Sequence, residues 1–250
     1  MKLLRFSSDG QVRYGAVEQR QIRELTGDPY GTLRFGPRSF QLDDVTLLPP
    51  CEPSKIVAVG VNYRAHAQEM GHRLPGEPLL FLKPSTSVIG PGAAIHYPEG
   101  VTRLDYEAEL AVVIKKKTRS VTPAQASEAI LGCTCLNDVT ARDLQQKDKQ
   151  WTRAKSFDTF APIGPWIVTD LDPSNLKIEG ILNGQTRQSS TTADLIFPVP
   201  VLVSFISSIM TLLPGDVITT GTPSGVGPLQ RGDTIEVVIE GIGRLTNMVR

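Results

Sequence analysis

The chain has 250 residues, with Lys+Arg and Asp+Glu at 26 each, so its formal net charge is zero, and 40% of it is hydrophobic. That length allows a sizeable core, as one large domain or as one domain with a small appendage. A balanced charge excludes the basic footprint of a nucleic-acid or anionic-membrane binder, so an acidic ligand must be held by a local site.

The opening Met1–Phe6 carries Lys2 and Arg5 but no apolar run of signal-peptide length. The apolar stretch around Leu202 to Leu213 is interrupted by Ser and Thr, and it falls short of the roughly 18 residues that a membrane span needs. Cys51, Cys133 and Cys135 are few and odd in number, which predicts a reducing, cytoplasmic setting. Alternation puts Cys133 and Cys135 on one face of a buried strand. With no second Cys or His pair beside them, a structural role is favoured over a metal.

In chain order, residues 1–52 read as a small N-terminal β-rich domain. Leu3–Phe6, Val12–Val17 and Ile22–Leu25 alternate loosely between Asp9-Gly10 and Gly27-Asp28-Pro29 turn signals. Pro49-Pro50 and Pro53 mark the boundary, which leaves 53–250 as a larger catalytic domain. The run Ile56-Val57-Ala58-Val59 predicts a buried strand. Proline- and glycine-rich connections follow around 75–78 and 90–92. Further strands are expected at 107–114, 130–136, 166–168, 177–182, 216–220 and 234–239. Three helices are expected: 123–130, with Thr122 as N-cap and Pro123 at the first position, then 140–149, then 200–211 with apolar Val201, Phe205, Ile209 and Leu212. Strands outnumber helices without alternating with them, which points to a β-rich α+β fold and away from a doubly wound sheet.

The sharpest local pattern is Asp105-Tyr106-Glu107-Ala108-Glu109 followed by an apolar run to Ile114. On a strand, Glu107 and Glu109 share a face with Ala111 and Val113. Two neighbouring carboxylates repel, and apolar company makes a cation attractive, although a solvent-facing edge strand would also read this way. Asp138 follows the 130–136 strand and is either a third hard oxygen ligand for Mg²⁺ or Mn²⁺ or a turn aspartate, since Thr140 and Asp143 resemble a capping box. Lys155 stands among small and aromatic residues, where an ammonium can be partly desolvated, or else it is a surface lysine. The glycine-rich Gly221-Thr222-Pro223-Ser224-Gly225-Val226-Gly227 lacks the Lys-Ser/Thr ending of a phosphate-binding loop. It can offer backbone N–H groups and the Thr222 hydroxyl to a carboxylate, or simply connect. His66 and Glu69 are three residues apart. On a helix they share a face, so Glu69 can orient the imidazole as in a general-base dyad; the plain alternative is an exposed polar turn. Gly71 and Gly76 would suit a mobile lid over about 65–76.

Taken in order, Val59-Gly60-x-Asn62-Tyr63-x-x-His66-x-x-Glu69, Phe81-Leu82-Lys83-Pro84-Ser85, Asp105-Tyr106-Glu107-x-Glu109-Leu110, Asn137-Asp138-x-Thr140-Ala141-Arg142-Asp143-x-Gln145, Lys155-Ser156-Phe157-Asp158-Thr159 and Thr220 to Gly227 closely resemble the fumarylacetoacetate hydrolase superfamily over nearly all of 55–250. The first 50 residues resemble the small N-terminal extension of many bacterial members. The resemblance implies a β-rich roll or sandwich of mixed sheets with peripheral helices, usually a homodimer. It implies Glu107, Glu109 and Asp138 as ligands of Mg²⁺ or Mn²⁺, with Ca²⁺ able to stand in within crystals. Lys155 would hold the substrate oxo oxygen and stabilise an enolate. Arg142 and Gln145 would lie near the substrate, Thr222 would bind its carboxylate, and His66 with Glu69 would form the lid dyad of the short acylpyruvase-like members. The sequence departs from fumarylacetoacetase itself, because Ile56 to Tyr63 lacks the further acidic ligand of that enzyme, which favours the short relatives.

The expected substrate is a small 2-oxo or 2,4-dioxo acid, as in aromatic catabolism, chelated by a Lewis-acidic cation. Three reactions share the enolate: acylpyruvate hydrolysis, oxaloacetate decarboxylation, and isomerisation or tautomerisation of the hydroxyheptadienedioate-isomerase or oxaloacetate type. Kinship alone does not choose among them. The rival from another class is a non-catalytic metal- or metabolite-binding protein, which loss of the dyad or of Lys155 would have signalled.

Overall fold

The structure, a computed structural model, describes residues 1–69, 71 and 73–250. Strands dominate it, and the β-rich fold of mixed sheets with few helices agrees with the expectation. The largest sheet runs in the order Phe35–Gln41, Gln21–Leu25, Gln11–Glu18, Lys2–Ser8, Ala161–Val168, Ile130–Asn137, Ala108–Ile114, Val217–Thr219, Lys55–Val59, Leu80–Pro84. Along this order the pairings are antiparallel except that Val217–Thr219 runs parallel to Lys55–Val59, with Ile218 opposite Val57; off it, Val88–Ile89 also pairs in parallel with Ala161–Val168. The N-terminal strands are not a separate sheet: Leu3 pairs with Ile167, so they extend the main one past the proline-marked boundary.

A five-stranded sheet, Gln185–Thr191, Lys177–Leu182, Thr234–Ile239, Gly243–Val249 and Ala94–Ile95, lies opposite. Between the two sheets, and under the helix Val199–Ile209, Leu110, Val112, Ile114, Cys133 and Cys135 pack against Ile178, Val237, Ile239, Leu202 and Ile206. The alternate residues Ala111 and Val113 face a second core with Ile56, Ile163 and Val217. The strand Ala108–Ile114 is therefore buried on both faces and reads as a continuous apolar run. Cys133 and Cys135 do share one core, and both are free thiols.

Four local expectations are corrected. The segment Pro123–Ala129 is a 3₁₀ helix; its Thr122 N–H donates to the Gln125 side chain at 3.0 Å. The helix expected from Thr140 begins at Arg142, because Thr140 pairs with Asp105 in a short strand, and Asp143 accepts from the Thr102 N–H and hydroxyl. No Thr140–Asp143 capping box forms, since those bonds to residues far away in sequence take its place. On Val199–Ile209 the buried stripe is Val199, Leu202, Val203 and Ile206, while Ile209 is exposed. That helix is apolar nearly all round, so periodicity could not choose its face. Finally, Glu107 lies in a break between Leu104–Tyr106 and Ala108–Ile114. Its N–H donates to the Asn137 side chain at 2.9 Å, and the chain passes there from a small sheet with Thr140–Ala141 and Gly227–Leu229 into the large one.

Candidate active site and metal centre

The sheet change at Glu107 builds the site. Glu107 at the break, Glu109 two residues into the next strand, and Asp138 just beyond Ile130–Asn137 are brought together with ligand oxygens within 4.8 Å of one another. All three are buried. The Asp138 N–H donates to the Glu107 carbonyl at 2.9 Å, which ties the two segments at the cluster. A solvent-facing edge strand is excluded.

Their environments differ. Glu107 accepts from Lys155 Nζ at 2.8 Å and from Arg142. Burial alone would raise its pKa, but the Lys155 and Arg142 charges overcome burial and hold the carboxyl at about 2. Asp138 accepts from Lys155 Nζ and from Lys83 Nζ, each at 2.6 Å. Among the described residues, Glu109 has no cation partner of its own. One of its oxygens accepts from the Thr219 hydroxyl and from the Gly221 N–H at 2.8 Å. Burial first, then the Asp138 and Glu107 charges, push Glu109 well above the ordinary carboxylate range. Asp105, next to the cluster, accepts from Arg142 Nε at 2.8 Å and from Arg103 Nε at 2.9 Å. Glu107, Asp138 and Asp105 thus each have cation partners, and Glu109 is the carboxylate left without one among the described residues. Three convergent hard oxygen donors, one of them without a cation partner among the described residues, fit a divalent cation of the Mg²⁺ or Mn²⁺ kind.

Lys155 comes from the short helix Thr152–Lys155 and is 2% exposed, so it is not a surface lysine. Burial would lower its pKa, but Asp138 and Glu107 outweigh that and raise it, so the ammonium stays charged. Its Nζ also lies 5.0 Å from the centre of the Phe81 ring. Lys83 is the group that residue-by-residue reading missed. It is fully buried, donates to Asp138 and to the Val139 carbonyl, and has its pKa lowered by burial that Asp138 and Glu107 only partly offset. The available signal was a lysine alternating with Phe81 in an otherwise apolar strand, Leu80–Pro84. Replacing Lys83 by Met is expected to destabilise the metal-free protein by about 3 kcal/mol, because Asp138 loses one buried charge partner. Urea unfolding with an unchanged midpoint would show that Lys155 alone satisfies Asp138.

A cavity of about 350 Å³ opens over this cluster, with Arg142, Gln145, Trp151 and Phe81 on its walls. Arg142 Nη1 donates to Gln145 at 2.6 Å, and Asp105 and Glu107 keep the guanidinium charged against the effect of burial. Thr222 is at the cavity, but its hydroxyl donates to the Ala108 carbonyl at 2.9 Å and accepts from Gln188 at 2.8 Å. Its proton is committed, so the hydroxyl is not free to donate to a substrate carboxylate. His66 also lines the cavity, on the helix Arg64–Glu69. Its Nδ1 is 2.9 Å from Glu69, so the expected pair forms and is no exposed polar turn. With a carboxylate at Nδ1, that nitrogen carries the proton and Nε2 is left as the basic atom. The lid expected over about 65–76 includes Met70 and His72, which lie outside the described residues.

Residues 55–250 match the family described as fumarylacetoacetate (FAA) hydrolase C-terminal, and residues 1–50 match the one described as Rv2993c-like, N-terminal. The chain belongs to the fumarylacetoacetate hydrolase family. A 5-carboxymethyl-2-hydroxymuconate delta-isomerase from Mycobacterium smegmatis is 48% identical, with a TM-score of 0.95 over 100% of this chain and 99% of that one. Oxaloacetate tautomerase YisK of Bacillus subtilis is 42% identical over 92% of this chain and 81% of its own. A maleylpyruvate hydrolase from Sphingobium sp. SYK-6, solved with manganese and pyruvate, is 31% identical with a TM-score of 0.83, covering 100% of this chain and 98% of that one. The protein is thus an enzyme of this family with a buried acidic triad suited to a divalent metal. None of its described helices is long and apolar enough to cross a membrane.

Proposed function

We propose that this enzyme acts on small 2-oxo or 2,4-dioxo acids through an enolate, by hydrolytic C–C cleavage of acylpyruvates and/or decarboxylation of oxaloacetate, with Mg²⁺ or Mn²⁺ held by Glu107, Glu109 and Asp138. In this reading 53–250 is the catalytic domain, 1–52 its N-terminal appendage, and the enzyme works as a cytoplasmic homodimer. The observation that carries the proposal is the buried Glu107–Glu109–Asp138 cluster at a cavity also lined by Lys155 and by His66, which pairs with Glu69. A divalent cation bound there supplies Lewis-acid polarisation of the chelated oxo acid.

The chain's own residues supply the rest. Lys155 places its ammonium against the developing enolate oxygen, a charge that matters more in a buried site than in water. Arg142 and Gln145 orient the acid, and the Thr222 segment takes its carboxylate. His66 Nε2 removes a proton from water, and Glu69 steadies the imidazolium that results. The water oxygen bonds to C4 and the C3–C4 bond breaks. Its electron pair stays on C3 as the pyruvate enolate, which is then protonated, while the acyl part leaves as a carboxylic acid.

A second reading, isomerase or tautomerase, is favoured by the sequence likeness to the delta-isomerase and to the tautomerase. There His66 would carry a proton between carbon and oxygen and no water would be consumed. A product screen with Mg²⁺ and with Mn²⁺ separates them. Acylpyruvates should yield pyruvate and an acid, and oxaloacetate should yield pyruvate and CO₂. Interconversion of hydroxymuconate-type dienes or keto–enol forms, without release of pyruvate, would install the second reading. No turnover of any 2-oxo acid would remove both.

A further inference from the structure

Glu69 ends a six-residue helix with its side chain 41% exposed. Left to itself, a carboxylate there would turn into water and release the His66 ring. Beyond the bond to His66, what holds it among the described residues is the Gly225 N–H, 3.2 and 3.4 Å from its two oxygens. Gly225 has a φ of +94°, and a Cβ at that position would lie 2.1 Å from the Arg187 carbonyl, so only glycine can present this N–H. The carbonyl of the same residue accepts from the Tyr106 hydroxyl at 3.0 Å. Tyr106 is 2% exposed, packs with Leu104, Val139 and Leu229, and immediately precedes Glu107. The loop has a second buried anchor in Gln188. This side chain accepts from the Ala108 N–H at 2.9 Å and donates to Thr222 Oγ1 and the Pro223 carbonyl at 2.8 Å each. The glycine-rich loop is therefore clamped to the segment that carries Glu107 and Glu109, and its outer end receives the carboxylate of the His66 pair.

We infer that Tyr106 is a positioning residue for the reaction: through Gly225 its hydroxyl fixes Glu69, and so sets the His66 ring over the cavity. The inference rests on reading His66 and Glu69 as the general-base pair. The Tyr106 oxygen is bonded to the loop and to no member of the acidic cluster, so its removal leaves the metal ligands and their cations untouched.

The test is Tyr106→Phe, which deletes one oxygen from a packed ring, studied in the full-length metal-loaded enzyme beside Glu69→Ala and the double variant. For acylpyruvate cleavage, kcat is expected to fall by about tenfold, less than the roughly 10²-fold that a 1 Å misplacement costs. KM and Mn²⁺ affinity should stay within about twofold. The double variant should lose no more than Glu69→Ala alone, because one side chain acts through the other. Amide exchange across 64–69 should quicken several-fold in Tyr106→Phe without substrate. Additive losses in the double variant, or an unchanged kcat with unchanged exchange, would overturn the inference. If the wild type turned over no 2-oxo acid, the functional reading would fail by itself. The exchange arm would then still decide whether Tyr106 holds Glu69, and unchanged protection would refute it.

Discussion

Replacing Glu109 by Gln is expected to abolish metal-dependent activity and, at the same time, to make the metal-free protein more stable at neutral pH. Both effects have one cause. Burial and the neighbouring Asp138 and Glu107 charges push Glu109 well above its ordinary value of 4.5. In the window between that ordinary value and the raised one, the folded chain binds a proton that the unfolded chain has released. Stability therefore falls as pH rises through this window. Glu107 does not mask the trend. Held at about 2, its contribution is complete above the ordinary value and is lost only as acid approaches the lower one. A glutamine can still accept from Thr219 and Gly221 but cannot titrate. Thermal unfolding in chelator, from about pH 5 to about pH 8, should show a falling midpoint for the wild type and a flatter one for Glu109→Gln. Saturating Mn²⁺ should raise only the wild-type midpoint, as expected of a ligand that binds the folded state. A wild-type midpoint that rises with pH would contradict the uncompensated carboxylate.

His66→Ala is expected to cut acylpyruvate cleavage by roughly 10²–10⁴-fold, the usual contribution of a general base. Metal affinity should hardly change, because His66 touches none of the three clustered carboxylates. Oxaloacetate decarboxylation needs no activated water, so it should lose much less. Lys155→Ala should impair both reactions, since both pass through an enolate, and it also strips Glu107 and Asp138 of the ammonium they share. The measurement is a two-by-two comparison of both variants on both substrates at one saturating metal concentration. Equal losses for His66→Ala on the two substrates would mean that the pair moves protons to and from carbon, which supports the isomerase or tautomerase reading. Unfolding midpoints of the Lys155 variant, taken with metal bound, separate lost chemistry from lost structure.

Much of this was legible in the linear chain because it depends on local pattern. The run Ile56–Val59 is a strand buried in the sheet, and the Cys133 and Cys135 thiols share a core. The motif order carried the family and, with it, the mixed-sheet fold. A three-residue spacing was enough to pair His66 with Glu69, because a helical turn enforces it. The tertiary structure decided what spacing cannot express. Glu107 and Glu109 converge with Asp138 because the backbone leaves one sheet and enters another between them, not because a single strand alternates. The apolar face of Val199–Ile209 was set by what lay beneath a helix hydrophobic on most sides. Lys83 showed locally only as a lysine in an apolar strand, and nothing near it in sequence pointed to Asp138, 55 residues away, as its partner. The Thr222 hydroxyl turned out to be spent inside the protein. Pattern reports which residues can share a face, but which charges end up desolvated and paired depends on contacts between distant segments. That pairing, which among the described residues leaves Glu109 without a cation of its own, is what makes the acidic cluster suited to a metal.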